Sequence, residues 1–253
     1  CNHIMPDDRK RRIALQMRPS RRNYVGIFFS FVGFIFILLC LVGSRSTSGM
    51  NLHFTKFTER PAGTLAIYVG WQGYCITERD GNTSCHTDDG VMMMPFDVTI
   101  AEKFNETYPE LFKDPVEQDP DLNPASQPNP PHNPKIYAAS VLCLLCGGAA
   151  TTIGFVWTLL YPQFQDKYYS RGFLAWGAGV LALLLVAQSS IMYENGIDEL
   201  NIVYPHLEAV IGPCMILTGM AFASFIISGY TFLHGCFSKE EDDSALGEGY
   251  NPL

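Results

Sequence analysis

Apolar residues gather in four long blocks, Tyr24 to Gly43, Ile136 to Tyr161, Gly172 to Met192 and Ala209 to Leu233, with polar sequence between them. Each block reaches the roughly 20 residues that an α-helix needs to cross a hydrocarbon layer of about 30 Å. Backbone N–H and C=O groups find no partner in lipid, so a spanning segment is a helix or part of a closed barrel. A barrel needs many short segments of alternating hydrophobicity, and the chain has no such series. The pattern therefore predicts four transmembrane helices. The first block is not read as a secretory signal: its apolar run exceeds the roughly 7–15 residues of such a segment, and Gly43-Ser44-Arg45-Ser46 is a poor cleavage site.

Between the first two blocks lies a long acidic segment, Ser44 to Lys135. Asn51 to Phe57 and Thr64 to Ile76 carry enough Val, Ile, Thr, Tyr and Phe to predict strands. Asp97 to Phe112 places Ile100, Phe104, Tyr108 and Leu111 at spacings of four, four and three, which predicts an amphipathic helix. Pro115 to Pro134 holds seven prolines and almost no apolar side chains, and reads as an extended tether.

Charge sets the expected orientation. Arg9, Lys10, Arg11, Arg12, Arg18, Arg21 and Arg22 precede the first block, against Asp7 and Asp8, and basic residues flanking a span stay cytoplasmic. Both termini are then inside, with 44–135 and 193–208 outside and 162–171 inside. The short inner loop carries Lys167 and Arg171, whereas the short outer one has neither Lys nor Arg. The sequons at Asn82 and Asn105 both fall in the first outer loop and are candidate glycosylation sites. The basic N-terminus also suits anionic lipid.

Cysteines divide by compartment. Cys75 and Cys85 are the only two in the outer loops and flank an Asp80-Gly81-Asn82 turn, which predicts a hairpin pinned by one disulfide. A metal pair with His86 and Asp88 is the alternative. Cys143 and Cys146 sit inside an apolar helix and read as packing. Cys236, just past the fourth block, is a candidate palmitoylation site.

These residues carry a resemblance. Gly73-Tyr74-Cys75 followed by Cys85, in the first loop of a four-span protein, resembles the Gly-x-Cys…Cys signature of the claudin-like tetraspans. The stretch Tyr68-Val69-Gly70-Trp71-Gln72-Gly73-Tyr74-Cys75, with the long acidic loop, is most similar to the fungal mating-induced regulators of low-affinity calcium uptake and membrane fusion. Animal claudins carry a Trp upstream and a Gly-Leu-Trp before the first cysteine; here Tyr74 replaces that Trp and Trp71 lies only four residues before Cys75, a departure that points away from a paracellular barrier. The implied fold is an all-α membrane protein, a claudin-like four-helix bundle with a small disulfide-pinned extracellular sheet. The implied function is regulation of calcium influx and membrane fusion during mating at the plasma membrane. Fungal tetraspans that organise plasma-membrane domains or serve ambient-pH sensing share this topology and remain an alternative, as does a cell-adhesion protein.

Composition adds detail. The outer loops hold seventeen acidic residues against seven basic, a surface that concentrates divalent cations. Asp88 with Asp89, and Asp114 with Glu117, Asp119 and Asp121, are the densest clusters and suit weakly bound calcium, or simply a solvated acidic loop. No other cofactor is expected. The blocks contain no ionisable residue away from their ends, and Gln188 is their main strongly polar side chain. A single subunit is therefore expected to regulate a channel, not to conduct. Ala150/Gly154 and Gly219/Ala223 are small-xxx-small pairs that let helices approach, either within the bundle or in a homo-oligomer or channel complex. Catalytic and nucleic-acid-binding motifs are absent, so an enzyme is not expected and the partners are lipids and other membrane subunits.

Overall fold

A computed structural model describes residues 21–43, 51–60, 65–87, 104, 107–112, 134–160 and 170–247. Four of its helices are long and apolar enough to cross a membrane, over Asn23–Val42, Ile136–Leu160, Ser170–Val203 and Pro213–His234. The elements run α1 (Arg21–Val42), β1 (Thr55–Glu59), β2 (Ala66–Val69), β3 (Gly73–Thr77), β4 (Thr83–Thr87), α2 (Pro109–Phe112), α3 (Pro134–Phe155, continued by a π-helical turn Val156–Leu160), α4 (Ser170–Val203), β5 (Leu207–Ile211) and α5 (Pro213–Gly247).

The long helices form a closed ring in which α1 and α4 each pack against both α3 and α5. Interior positions are small or aromatic: Ala150, Ala175, Ala178 and Ala182 are buried, and Phe225 and Phe232 of α5 are fully buried. The two rings lie over glycines. A Cβ built on Gly33 or Gly147 comes within 3.0 or 2.7 Å of Phe225, and one on Gly26 or Gly154 within 2.6 or 3.0 Å of Phe232. The outer surface bears exposed Phe28, Leu145, Phe173, Val180 and Ile216. A belt of large apolar side chains around a well-packed interior is costly in water and stable in lipid.

With no water between helices to expel, close packing and interhelical hydrogen bonds hold such a bundle together. Thr151 Oγ1 donates to Ser30 Oγ at 2.9 Å, Ser30 Oγ donates to the Gly147 carbonyl at 3.3 Å, and Ser228 Oγ donates to the Gly26 carbonyl at 2.8 Å.

At one end of the ring sits a five-stranded antiparallel sheet of order β4-β3-β2-β1-β5. Two expectations change here. The sheet is not confined to the segment after α1, because β5, from the connection between α4 and α5, pairs along the whole of β1 from Thr55↔Ile211 to Glu59↔Leu207. Ala209, Val210 and Ile211 therefore belong to a strand and not to the fourth helix. That helix starts at Pro213, whose fixed φ and missing N–H suit a first helical turn. The expected loop 193–208 is also mostly helix: α4 runs 34 residues, about 50 Å at 1.5 Å per residue, and projects well past the end of its apolar run at Met192.

The strand expected over 64–76 is two strands. They are separated by a tight turn closed by Gly70 N–H donating to the Gly73 carbonyl at 2.8 Å. Of the expected amphipathic helix, Phe104 and Pro109–Phe112 are described and helical, with Phe104, Leu111 and Phe112 buried; Thr107 and Tyr108 are described and not helical, and residues 97–103, 105–106 and 115–133 lie outside the described residues. So do Arg9, Lys10, Arg11, Arg12 and Arg18 of the N-terminal basic cluster and most of the expected inner loop, whereas Arg21 and Arg22 open α1.

One further expectation is corrected. Arg171 is not a loop cation but lies in the first turn of α4, 7% exposed, donating to Thr158 Oγ1 at 3.5 Å and lying 5.3 Å from the centre of the Phe232 ring. Gly154 lines a helix contact as expected, but a Cβ at Gly177 or Gly219 meets nothing within 4 Å. Those two glycines face away from the helix contacts of the bundle.

Candidate functional site

The residues that carry the resemblance converge on the β3–β4 hairpin. Its turn closes through Glu78 N–H to the Asn82 carbonyl, Gly81 N–H to the Glu78 carbonyl and Asn82 N–H to Asp80 Oδ1, each at 2.9 Å. Gly81 has φ of +82°, where residues with a Cβ are strained. Cys75 and Cys85 lie directly opposite each other, Cα atoms 4.0 Å apart, and are joined by a disulfide. A bridged pair offers no thiolates to a metal, and His86, one register position along, points its ring to the other face and stacks on Tyr74 at 5.3 Å. Among the described residues no three His, Cys, Asp or Glu side chains group as a metal site requires.

Alternation along β3 then separates two surfaces. The face bearing the disulfide also bears Tyr68, opposite Cys75, and Lys56, whose ammonium lies 5.5 Å from the Tyr68 ring centre. The opposite face bears Tyr74, which meets Phe104 edge-on at 5.2 Å. Phe104 stacks on Phe112 at 6.3 Å, and Phe112 meets Tyr204 at 5.3 Å. These rings run from the hairpin to the end of α4. Burial within them raises the Tyr74 phenol above its ordinary pKa, with nearby Tyr108 adding to the effect. The Tyr108 phenol is raised by burial first and by Glu78 second.

Trp71 occupies the turn between β2 and β3 and is fully buried. Its ring stacks on Phe54 at 4.6 Å, and Phe54 stacks on Tyr193 of α4 at 5.2 Å. The Phe54 backbone is tied on both sides: its N–H donates to the Val69 carbonyl at 2.8 Å, and its carbonyl accepts from Gly212 N–H at 2.7 Å. Three rings thus join the turn, the approach to β1 and the long helix. The Trp71 indole N–H has no hydrogen-bond partner among the described residues, so the residue serves through its ring area and shape.

Sequence reading brought together Trp71, Gly73, Tyr74, Cys75 and Cys85, and the structure places all five on adjoining strands and turns. Asn82 is exposed at the hairpin tip. Asn105, Asp88, Asp89, Asp114, Glu117, Asp119 and Asp121 lie outside the described residues, as does the side chain of Cys236. Sequence reading missed Phe54, Tyr193, Tyr204 and Asn201. Asn201 is the most telling of these: its Nδ2 donates to the Ala209 carbonyl at 3.0 Å and its Oδ1 accepts from Ala209 N–H at 2.8 Å. One side chain thereby satisfies the outer edge of β5 where a sixth strand would bind. An Asn in a helical stretch carries no signal of that role.

No family model matches the chain, and no curated protein is similar to it.

Proposed function

We propose that this protein is a claudin-like tetraspan of the plasma membrane that regulates low-affinity calcium influx and membrane fusion during mating. The observation that supports the reading is the Gly73-Tyr74-Cys75…Cys85 hairpin, disulfide-bonded and seated on the helices through the Trp71–Phe54–Tyr193 stack. In this reading the sheet is extracellular, both termini are cytoplasmic, and Asn82 at the tip is glycosylated. A contact made on the hairpin reaches α4 through three stacked rings, and α4 is the helix that continues from the sheet through the bundle.

The bundle interior favours a regulatory role over conduction by one subunit. Phe225 and Phe232 fill its centre and Arg171 is a buried cation at the far end; a cation path needs polar or acidic lining, and a fixed positive charge opposes it. The acidic loop attracts calcium to the membrane surface at weak affinity, and the protein acts on a channel formed with partner subunits or further copies.

The test is cytosolic calcium, followed by a luminescent reporter, in mating-stimulated cells with the gene intact, deleted or carrying Cys75→Ser with Cys85→Ser. Loss of the calcium rise in both altered strains, with the variant protein still at the surface, supports the reading. An unchanged rise in the deletion strain sinks it and favours a membrane-domain organiser.

A further inference from the structure

Two cysteines that the hairpin does not use meet at the sheet end of the bundle. Cys40 lies two residues before the end of α1, and Cys214 is the second residue of α5. Both are fully buried, and both are thiols here. The Cys40 thiol donates to the Cys214 carbonyl oxygen at 3.6 Å, so it lies against the Cys214 residue itself. Helix contact brings them together across 174 residues of sequence.

Position along the helix decides what such a pair can become. The strands that follow α1 and precede α5 are β1 and β5, so Cys40 and Cys214 lie at the same end as the Cys75–Cys85 disulfide. A structural disulfide forms and persists in an oxidising compartment. Cys143, by contrast, lies deeper in α3, and its thiol donates at 3.3 Å to the carbonyl of Ala178, a residue with no thiol to pair with it.

We propose that Cys40 and Cys214 form a second disulfide that clamps the end of α1 to the start of α5. The inference rests on the reading of the sheet end as extracellular. The bond forms during folding in the secretory route, before burial closes the site, by exchange with a protein disulfide donor. One cysteine thiolate attacks the donor disulfide to give a mixed disulfide and a donor thiol. The second thiolate then displaces the other donor sulfur. Two cysteine thiols lose two protons and two electrons in total, and the donor disulfide becomes two thiols.

The clamp would fasten the two ends of the sheet-bearing connections at one point. Gly212 N–H already donates to the Phe54 carbonyl and Cys214 N–H to the His53 carbonyl at 3.1 Å. A Cβ on Gly212 would run into the His53 carbonyl, so the chain segments entering β1 and leaving β5 are in direct backbone contact here. A covalent bond at Cys214, itself part of that contact, would keep it when the hydrogen bonds open.

The test is peptide mapping of the full-length protein, made through the secretory route of a eukaryotic cell and denatured in N-ethylmaleimide without reductant. The expected result is a Cys40–Cys214 linked peptide in most molecules beside the Cys75–Cys85 one, with Cys143 and Cys146 alkylated. A Cys40→Ser protein should release Cys214 for alkylation, which identifies the partner; if that variant does not accumulate, the wild-type map still decides. Linked Cys75–Cys85 with alkylated Cys40 and Cys214 overturns the clamp alone. Alkylation of all four overturns the compartment reading and the clamp together, and linkage of Cys40 or Cys214 to any other cysteine overturns the clamp.

Discussion

The two ends of this molecule use the same kinds of residue for opposite purposes. At the sheet end, aromatic rings stack on one another: Trp71 on Phe54, Phe54 on Tyr193, Tyr74 against Phe104, Phe112 against Tyr204. Within the bundle, rings pack on glycine, with Phe225 over Gly33 and Gly147 and Phe232 over Gly26 and Gly154. The difference follows from the surroundings. Where water is the alternative, burying a large ring is itself stabilising, and rings gather. Where lipid is the alternative, burial of apolar area contributes little, and what counts is close approach of backbones and contact without voids. Hydrogen bonding differs in the same sense. Strand ladders hold the sheet, whereas in the bundle the hydroxyls of Ser30, Thr151 and Ser228 reach backbone carbonyls or one another.

The sharpest way to break this contrast is at the sheet end. Trp71→Ala removes a fully buried ring that stacks on Phe54. Deleting such a side chain costs about 3–5 kcal/mol, a fall of about 10 °C in melting temperature for a chain of this size. Thermal unfolding in detergent micelles, followed by circular dichroism, measures it. Trp71→Phe, which keeps an aromatic face for Phe54, should lose less than half as much. If Trp71→Ala melts like the wild type, the three-ring stack does not couple sheet to bundle.

Removing the disulfide tests whether the two ends are separable. Cys75→Ser with Cys85→Ser opens a loop whose bridged residues are 10 apart, worth about 2–3 kcal/mol on the chain-entropy account. Hydrogen exchange should show β3 and β4 losing protection while α1, α3 and α5 keep theirs. Loss spread evenly over the helices would mean that the hairpin and the bundle open as one unit.

What was legible in the sequence follows the same division. The spans could be read because lipid demands long uninterrupted apolar runs. The hairpin could be read because a Gly-containing turn between two cysteines is a local signal. The fifth strand was hidden: Ala209, Val210 and Ile211 are apolar and run almost directly into the apolar start of α5, and hydropathy does not tell a short apolar strand from a helix. The distinction lay in Gly212-Pro213, a break followed by a helix-starting residue. The projecting part of α4 was missed because its polar residues, such as Glu194, Asp198 and Glu199, looked like loop sequence, although Tyr193, Ile197, Leu200 and Tyr204 form a buried helical stripe. Arg171 looked like a flanking charge because its place beside Thr158 and over Phe232 depends on three helices at once.

Inside the bundle, paired glycine substitutions give a smaller and two-signed test. At Gly147 an added Cβ falls 2.7 Å from the fully buried Phe225 ring, which is itself hemmed in by Gly33 and Gly179. Gly147→Ala should therefore destabilise by about 1–3 kcal/mol through overpacking. At Gly177 the added Cβ meets nothing within 4 Å, and Gly177→Ala should be neutral or stabilise by up to about 1 kcal/mol through helix propensity. Melting temperatures that move in opposite directions support packing on glycine as the organising feature. Equal losses at both sites would mean that the outward face of α4 is also covered, by lipid or another subunit.

The smallest effect is expected at the edge of the sheet, where two side chains hold β5 by different means. Arg60 Nε donates to Glu208 Oε2 at 3.3 Å, with both side chains about half exposed (53% and 49%). Water and salt screen such a pair, and its worth is about 0–1 kcal/mol. Asn201 instead makes two hydrogen bonds to one backbone residue on the flank of the same strand, and its loss leaves an amide and a carbonyl to find new partners, at about 1–2 kcal/mol. Arg60→Ala should thus shift the melting temperature less than Asn201→Ala, and raising the salt concentration should erase the Arg60 effect while leaving that of Asn201 intact. The reverse ranking would mean that the outer face of β5 is less solvated than it looks, and that a further partner, and not the Asn201 side chain, secures the strand.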